Sequence, residues 1–356
     1  MIQDIGLLPQ VDSATRALLT RHAAWWQNQG LLYAETPDGG LGDLWLPLAD
    51  GRLASADVTL TPEMLDVERL VGPAQASGKL QRWGDIFQTR DPYVRVPWVE
   101  AIIGCPIRAS IQGGAMRAQH FVRSWQGWPV SSSDILPWLE LLQRLASLLV
   151  ARSGGQYAVA HTLMRGPSDL AEAALGPELM CLSQYDYPSE LSAFLESVTA
   201  RFLDVWQAQW RLVPPIEGGY VNPFGIWAPG TVVRTQCDAS ALLSPAQYSE
   251  WYLPYDQRIA EAADFAVIHL HSGSLHTVES LLQLNKPQAI QVSLDPQPSG
   301  PPLDRLLPVF GRILQAKSLI VDGVLNARQV QQLLEVLPAD GLCIIARGDP
   351  GIVAGL

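Results

Sequence analysis

Two hydrophobic periods alternate along most of this chain. Trp138, Leu141, Leu142, Leu145, Leu148 and Leu149 recur at helical spacing after Asp134, and Gly154-Gly155 stops that helix before an apolar run of strand length over residues 157–164. Leu191, Phe194, Leu195, Val198, Phe202 and Val205 mark a second helix, entered at Pro188-Ser189 and ended by Pro214-Pro215. A third starts at Ser244 with Pro245 in its first turn, and Pro254 predicts a bend in it. The last hundred residues predict strands over 265–271, 289–294, 318–323 and 342–347, separated by helices over 278–284, 306–315 and 327–337. Runs such as AVIHL and LCIIA show no alternation, as strands covered on both faces require.

Strands that alternate with helices predict parallel βαβ construction. The fold class is therefore read as α/β, a (β/α)8 TIM barrel over residues 96–356, with a helical extension over residues 1–95 packed on it in one structural domain. Within the extension, helices are predicted over residues 13–29, with Trp25 and Trp26, and over residues 61–70, with Thr61 as cap and Pro62 in the first position.

Composition narrows the function classes. The chain has 356 residues, 48% of them apolar and 17% charged, which suits a globular protein with a large core. A net charge of −11 without any basic run argues against a nucleic-acid partner. The sequence contains no stretch long and apolar enough to span a membrane, and MIQDIGLLPQVDSATR lacks the regions of a signal peptide, so a cytoplasmic protein without a membrane partner is expected. Cys105, Cys181, Cys237 and Cys343 form no CxxC pair and are read as reduced, mostly buried thiols.

In a parallel barrel the chemistry gathers at the carboxyl ends of the strands, so polar residues that follow apolar runs are the candidates. These are Glu100, His161, Arg165, Arg234, Asp238, His269, His271, Gln291, Asp322 and Arg347. Arg165, Arg234 and Arg347 suit carboxylate or phosphate, which points to a small anionic substrate; each has the alternative of pairing with an acid such as Asp169, Asp238 or Asp349. His269 and His271 lie two apart on a strand and share one face, a spacing that a metal site can use, with Asp322, Asp349 and Glu100 as candidate third ligands. A hydrogen-bonded pair holding substrate oxygens is the alternative. Glu100, in apolar surroundings, suits a general acid or base, and it joins His271 and Asp238 as candidate catalytic groups. Tyr220 and Trp227, with Trp98, offer an aromatic wall or simply core, and Tyr220, Trp227, His161 and Gln291 join the arginines as candidate substrate contacts.

At these residues the chain resembles the uroporphyrinogen decarboxylase superfamily, whose other main branch is the cobalamin-dependent methyltransferases. The likeness runs through RVPWVEAIIGCPI from Arg95, HTLMRGPSDLAEAALG from His161, WAPGTVVRTQCDASALLSPAQYSEWYLPYDQRI from Trp227, and VIHLHSG before Gly273. The D-x-S-x-L-L-S-P turn and the LPY-bearing helix are its most specific part. The resemblance implies a (β/α)8 barrel acting as a carboxy-lyase or in methyl transfer, with a tetrapyrrole or another small anion as ligand. Nothing before Arg95 matches the Arg-rich RQAGRY-type segment of true uroporphyrinogen decarboxylases. The methyltransferase branch implies zinc held by a His-x-Cys pair and a distant Cys, and a corrinoid protein as partner. Here the pair reads His269-Leu270-His271, and Cys343 lies near the start of its strand. In a lyase the three arginines would hold carboxylates while His271 or Glu100 protonates a carbanion. In a methyltransferase His269 and His271 would hold zinc. A non-catalytic tetrapyrrole or corrinoid carrier is the third reading, and a homodimer is compatible with all three.

Overall fold

A computed structural model describes residues 11–37, 43–126, 135–296 and 298–348. Eight parallel strands carry the architecture: β1 (Leu32–Thr36), β2 (Thr89–Arg90), β3 (Ala158–Val159), β4 (Val232–Gln236), β5 (Phe265–His271), β6 (Ala289–Ser293), β7 (Ser318–Val324) and β8 (Leu342–Arg347). Six of them form one sheet in the order β1-β8-β7-β6-β5-β4, and among the described residues β2 pairs only with β3. The mixed α/β class and the late βαβ series are as the pattern implied. A closed eight-stranded ring is not, since no ladder joins β1 to β2 or β3 to β4 among the described residues.

The gap between β3 and β4 has a local cause. The apolar run over 157–164 keeps only two residues in strand pairing, because side chains take the backbone groups a ladder would use. Thr162 N–H donates to Gln209 Oε1 at 2.7 Å, and Arg234 N–H donates to His161 Nε2 at 3.1 Å. Further along, Gly166 N–H donates to Gln236 O at 3.0 Å. A Cβ on Gly166 would stand 2.4 Å from that same carbonyl. Gly166→Ala is therefore expected to destabilise the fold by about 1–3 kcal/mol, read from the urea midpoint of unfolding.

Two further expectations change. The sequence assigns no strand before Val96, yet Leu32–Thr36 is an edge strand paired in parallel with β8. Residues 61–70 do not form one helix: Pro62–Met64 makes a single 3₁₀ turn, Leu65 leaves it to bridge Leu48, and Asp66 rather than Thr61 caps the helix Val67–Val71 through Arg69 N–H at 3.1 Å.

The long helical segments of the described residues include α1 (Ser13–Trp25), α2 (Ile135–Arg152), α3 (Pro167–Asp186), which is broken by a kink at Gly176, and α4 (Pro188–Trp210). The helix expected to bend at Pro254 is two, Pro245–Trp251 and α5 (Leu253–Glu261), with Ser244 and Gln247 forming a capping box at the first. The end of α1 closes the amino ends of the sheet: the Trp26 ring meets Phe265 at the start of β5, and Ser318 Oγ at the start of β7 donates to Trp25 O at 2.6 Å. The opposite, carboxyl ends are left for the site. No helix of the described residues is long and apolar enough to cross a membrane.

Candidate metal centre

Register brings the key side chains together. Gln236 on β4 lies opposite His269 on β5, which lies opposite Gln291 on β6, and His271 follows two residues later on the same face. The chain leaves β4 at Gln236 and turns through Asp238 in a short 3₁₀ segment, so Asp238 faces the two imidazoles across the strand ends. His269 Nε2 is 3.7 Å from Asp238 Oδ1, and His271 Nε2 is 3.8 Å from Asp238 Oδ2. One ligand atom from each of the three lies within 4.8 Å of the others.

Both rings are held from behind. His271 Nδ1 meets Asp295 Oδ1 at 2.6 Å, and His269 Nδ1 meets Gln291 Oε1. Asp295 Oδ2 in turn accepts from Ser272 Oγ and Gly273 N–H, each at 3.0 Å. With Nδ1–H donated in this way, each Nε2 lone pair is free, and both are aimed at Asp238. This carboxylate–histidine arrangement fixes tautomer and ring angle in the manner of metal-bound imidazoles. Burial, followed by the charge of Arg234, holds His269 well below the usual histidine range, so its imidazole is neutral at pH 7. Burial raises Asp238, against the pull of His271 and Arg234.

Asp238 is only partly satisfied. Gln236 Nε2 donates to its Oδ2 at 2.8 Å, while its Oδ1 is buried with no hydrogen-bond donor among the described residues. Leaving a buried carboxylate oxygen unpaired is costly, and a cation between Asp238, His269 and His271 removes that cost. The spacing is slightly wide of a bound site: ligands about 2.0–2.2 Å from zinc in a tetrahedron stand roughly 3.3–3.6 Å apart, against 3.7 and 3.8 Å here. His271 is the solvent-facing member, with its side chain 42% exposed, so the site opens outward.

Behind the centre lies a buried charge network. Asp169 Oδ1 accepts Ala239 N–H at 2.7 Å, which fixes the turn that carries Asp238. Burial, with Asp238 adding to it, raises Asp169 well above the carboxylate range. Arg234, buried and lowered to about 10 by desolvation, donates to Gln236 Oε1 and to Met164 O.

Of the residues read from the sequence, the structure gathers Asp238, His269, His271, Gln291 and Arg234 at one place. Arg165 stands at its edge, ion-paired to Glu100 at 3.3 Å. Glu100 does not follow a strand: residues 98–102 form a helix whose apolar members are all buried, and a short apolar run does not distinguish the two by period. Arg347 lies at the end of β8 with Nε and Nη2 on Asp322, each at 2.6 Å. Asp322 and Glu100 are therefore engaged elsewhere as third-ligand candidates, and Asp349 lies outside the described residues. His161 is sealed in, with Nδ1 donating to Thr162 O at 2.8 Å and Nε2 accepting from Arg234, and burial lowers it to about 4. Tyr220 and Trp227 lie at the other end of the sheet. Trp227 packs beneath α1, accepting from Trp26 Nε1 at 2.9 Å, and Tyr220 meets the Trp210 ring at 4.2 Å. Cys105, Cys237 and Cys343 are buried thiols raised well above their usual range by desolvation. Sequence reasoning missed Asp295 and Gln236, and named Asp169 only as an acid with which an arginine could pair. Asp295 was within reach of the strand-end rule, since it lies two residues beyond Ser293 at the end of β6.

No family model matches the sequence, and no curated protein matches it. Among solved structures the chain is similar to a methyltransferase from Methanosarcina mazei, at 12% identity and a TM-score of 0.52, over 71% of this chain and 72% of that one. At that identity the likeness is one of fold. It is consistent with the methyltransferase-related side of the sequence resemblance and adds nothing specific to the decarboxylases.

Proposed function

We propose that this chain is a zinc-dependent methyltransferase on a (β/α)8 scaffold, in which β1 to β8 follow the order of a ring and side-chain and single backbone bonds stand in for the ladder between β3 and β4. The observation that carries the reading is the unpaired Oδ1 of Asp238, facing two imidazoles whose tautomers are already fixed by Asp295 and Gln291. The fold of the archaeal methyltransferase and the sequence resemblance support the reaction class.

Asp238, His269 and His271 would hold the zinc, which when bound would supply Lewis acidity favouring the deprotonated form of a substrate thiol or hydroxyl at neutral pH. The protein's own part is orientation and charge. Asp295 and Gln291 hold the imidazoles in place; Asp169 fixes the turn of Asp238; Arg234 and Arg165 offset the charge of Asp238, and Arg165 also that of Asp169. A corrinoid protein delivering the methyl group would dock over the exposed side of His271. The decarboxylase reading is weaker, because Arg165, Arg234 and Arg347 already hold Glu100, Gln236 and Asp322.

The test begins with protein purified without chelator. Metal analysis is expected to find close to one zinc per chain, and methylcobalamin absorbance is expected to decay when the protein and a thiol acceptor are added. Protein that holds no stoichiometric zinc, even after zinc is supplied, rules the reading out.

A further inference from the structure

Although the chain is acidic overall, one cavity, which shares Arg165 with the surroundings of the centre, carries three arginines in its lining. It has a volume of about 550 Å3 and opens between Ala115–Ala118, which forms a hairpin with Ile107–Ser110, the segment carrying Tyr93 and Arg95, and the first turns of α3. Arg95, Arg117, His120 and Arg165 line it. Glu172 is the acidic residue among its lining, 3.7 Å from His120 Nε2. Arg165 connects the two sites, since it lines the cavity while its charge is felt by Asp169 and Asp238.

Three independent features make this cavity unlike an ordinary groove. Arg117 lies directly opposite Arg108 on the hairpin ladder, and neither makes a hydrogen bond or ion pair with a described residue. Like charges directly opposite each other destabilise a strand pair, and a bound anion would relieve this one. Val94 and Arg95 both take the left-handed backbone, with φ of 37° and 66°, which for a β-branched residue is a true outlier of the kind found at ligand clamps. That turn carries Arg95 to the hairpin, where its Nη1 donates to Gly114 O at 2.8 Å. Finally, a Cβ at Gly176 would stand 2.8 Å from His120 Nδ1, so the glycine makes room for the imidazole in the lining.

We propose that this cavity is an oxyanion subsite, which holds the carboxylate or phosphate of a small substrate whose reacting atom reaches His269 and His271. The inference rests on the metal reading for the second half of that statement and on the cavity alone for the first. Its volume suits a small molecule rather than a macromolecule, and a guanidinium pair suits a planar or tetrahedral oxyanion.

Calorimetric titration with inorganic phosphate and with succinate, on zinc-loaded and zinc-stripped protein, tests it. At least one probe is expected to bind once per chain in both zinc states, and to bind at least tenfold more weakly to Arg117→Gln and to Arg95→Gly. The glycine variant relieves the left-handed backbone but also loses the bond to Gly114 O, so its thermal midpoint is measured alongside, and binding lost at an unchanged midpoint reports lost charge. Preference for phosphate or for succinate names the substrate's acid group. The subsite is overturned if neither probe binds, if both variants bind as the parent does, or if binding occurs only with zinc present. Zinc content measured on the same samples separates the two ideas: full zinc without anion binding removes the subsite and leaves the metal centre, and the converse does the opposite.

Discussion

His271→Ala is expected to leave the chain folded and strip it of tightly bound zinc, with methyl transfer falling to background. The side chain is 42% exposed at the open end of the sheet, so its truncation creates no core cavity, and the metal-free thermal midpoint should not move. What disappears is one of three donors. His269→Ala and Asp238→Ala should lose metal in the same way. Asp295→Asn keeps the ring but removes the carboxylate behind Nδ1, and loss of such a supporting group weakens metal affinity by roughly 10–100-fold. The order to expect is therefore a near-total loss for the three donors, a partial loss for Asp295→Asn, and none for Tyr220→Phe at the far end of the sheet. Competition with a chromophoric chelator measures each affinity. Retention of one zinc at unchanged affinity in His271→Ala would place the metal elsewhere and end the proposed mechanism.

How far the sequence foretold this centre depends on which interaction places each residue. His269 and His271 were legible because period-2 alternation on a buried strand is a local property, and β5 runs as its apolar pattern implied. Asp238 was visible as a strand-end acid, but not as the partner of the histidines, because that pairing depends on the β4–β5 register and the 3₁₀ turn after Gln236. Asp295 and Gln291 act through neighbouring strands, which no local pattern specifies. Of the basic cavity only Arg165 was legible: Arg95 and Arg117 join it because a hairpin folds back onto a left-handed turn, and neither Val94 nor Arg95 has a side chain that announces positive φ. The misread parts share one cause. The 98–102 helix, the truncated strand at 158–159 and the edge strand at 32–36 are short apolar runs, whose form is decided by tertiary hydrogen bonds such as Arg234 N–H to His161.

Beneath the centre, Asp256 is expected to make the fold weaker as pH rises, and Asp256→Asn to remove that weakness. Asp256, on α5, is 2% exposed; its Oδ2 accepts from Tyr248 at 2.8 Å and its Oδ1 has no donor among the described residues. Burial outweighs the Tyr248 bond and pushes the carboxyl up to about 7. The folded chain thus holds a proton that the unfolded chain has released above about pH 4, so this stability is fully present in acid and lost as pH rises to about 7. The shift corresponds to at most roughly 4 kcal/mol, and Asp256→Asn should recover much of it at pH 8 while gaining little at pH 4. His22 and His161 act in the other sense. Burial lowers both to about 4, so their contribution is present above the ordinary histidine value and lost as pH falls below it. Asp91, raised to about 6 by burial, opposes them together with Asp256. Burial raises Glu100, Asp169 and Asp238 in the same sense, so the parent's acid limb should be shallow, and that of Asp256→Asn steeper because one of the opposing carboxyls is gone. Urea midpoints of metal-free protein at pH 4.5, 6 and 8 give both curves without linkage to bound zinc. Parallel curves for parent and variant would show that Asp256 ionises normally in the folded chain.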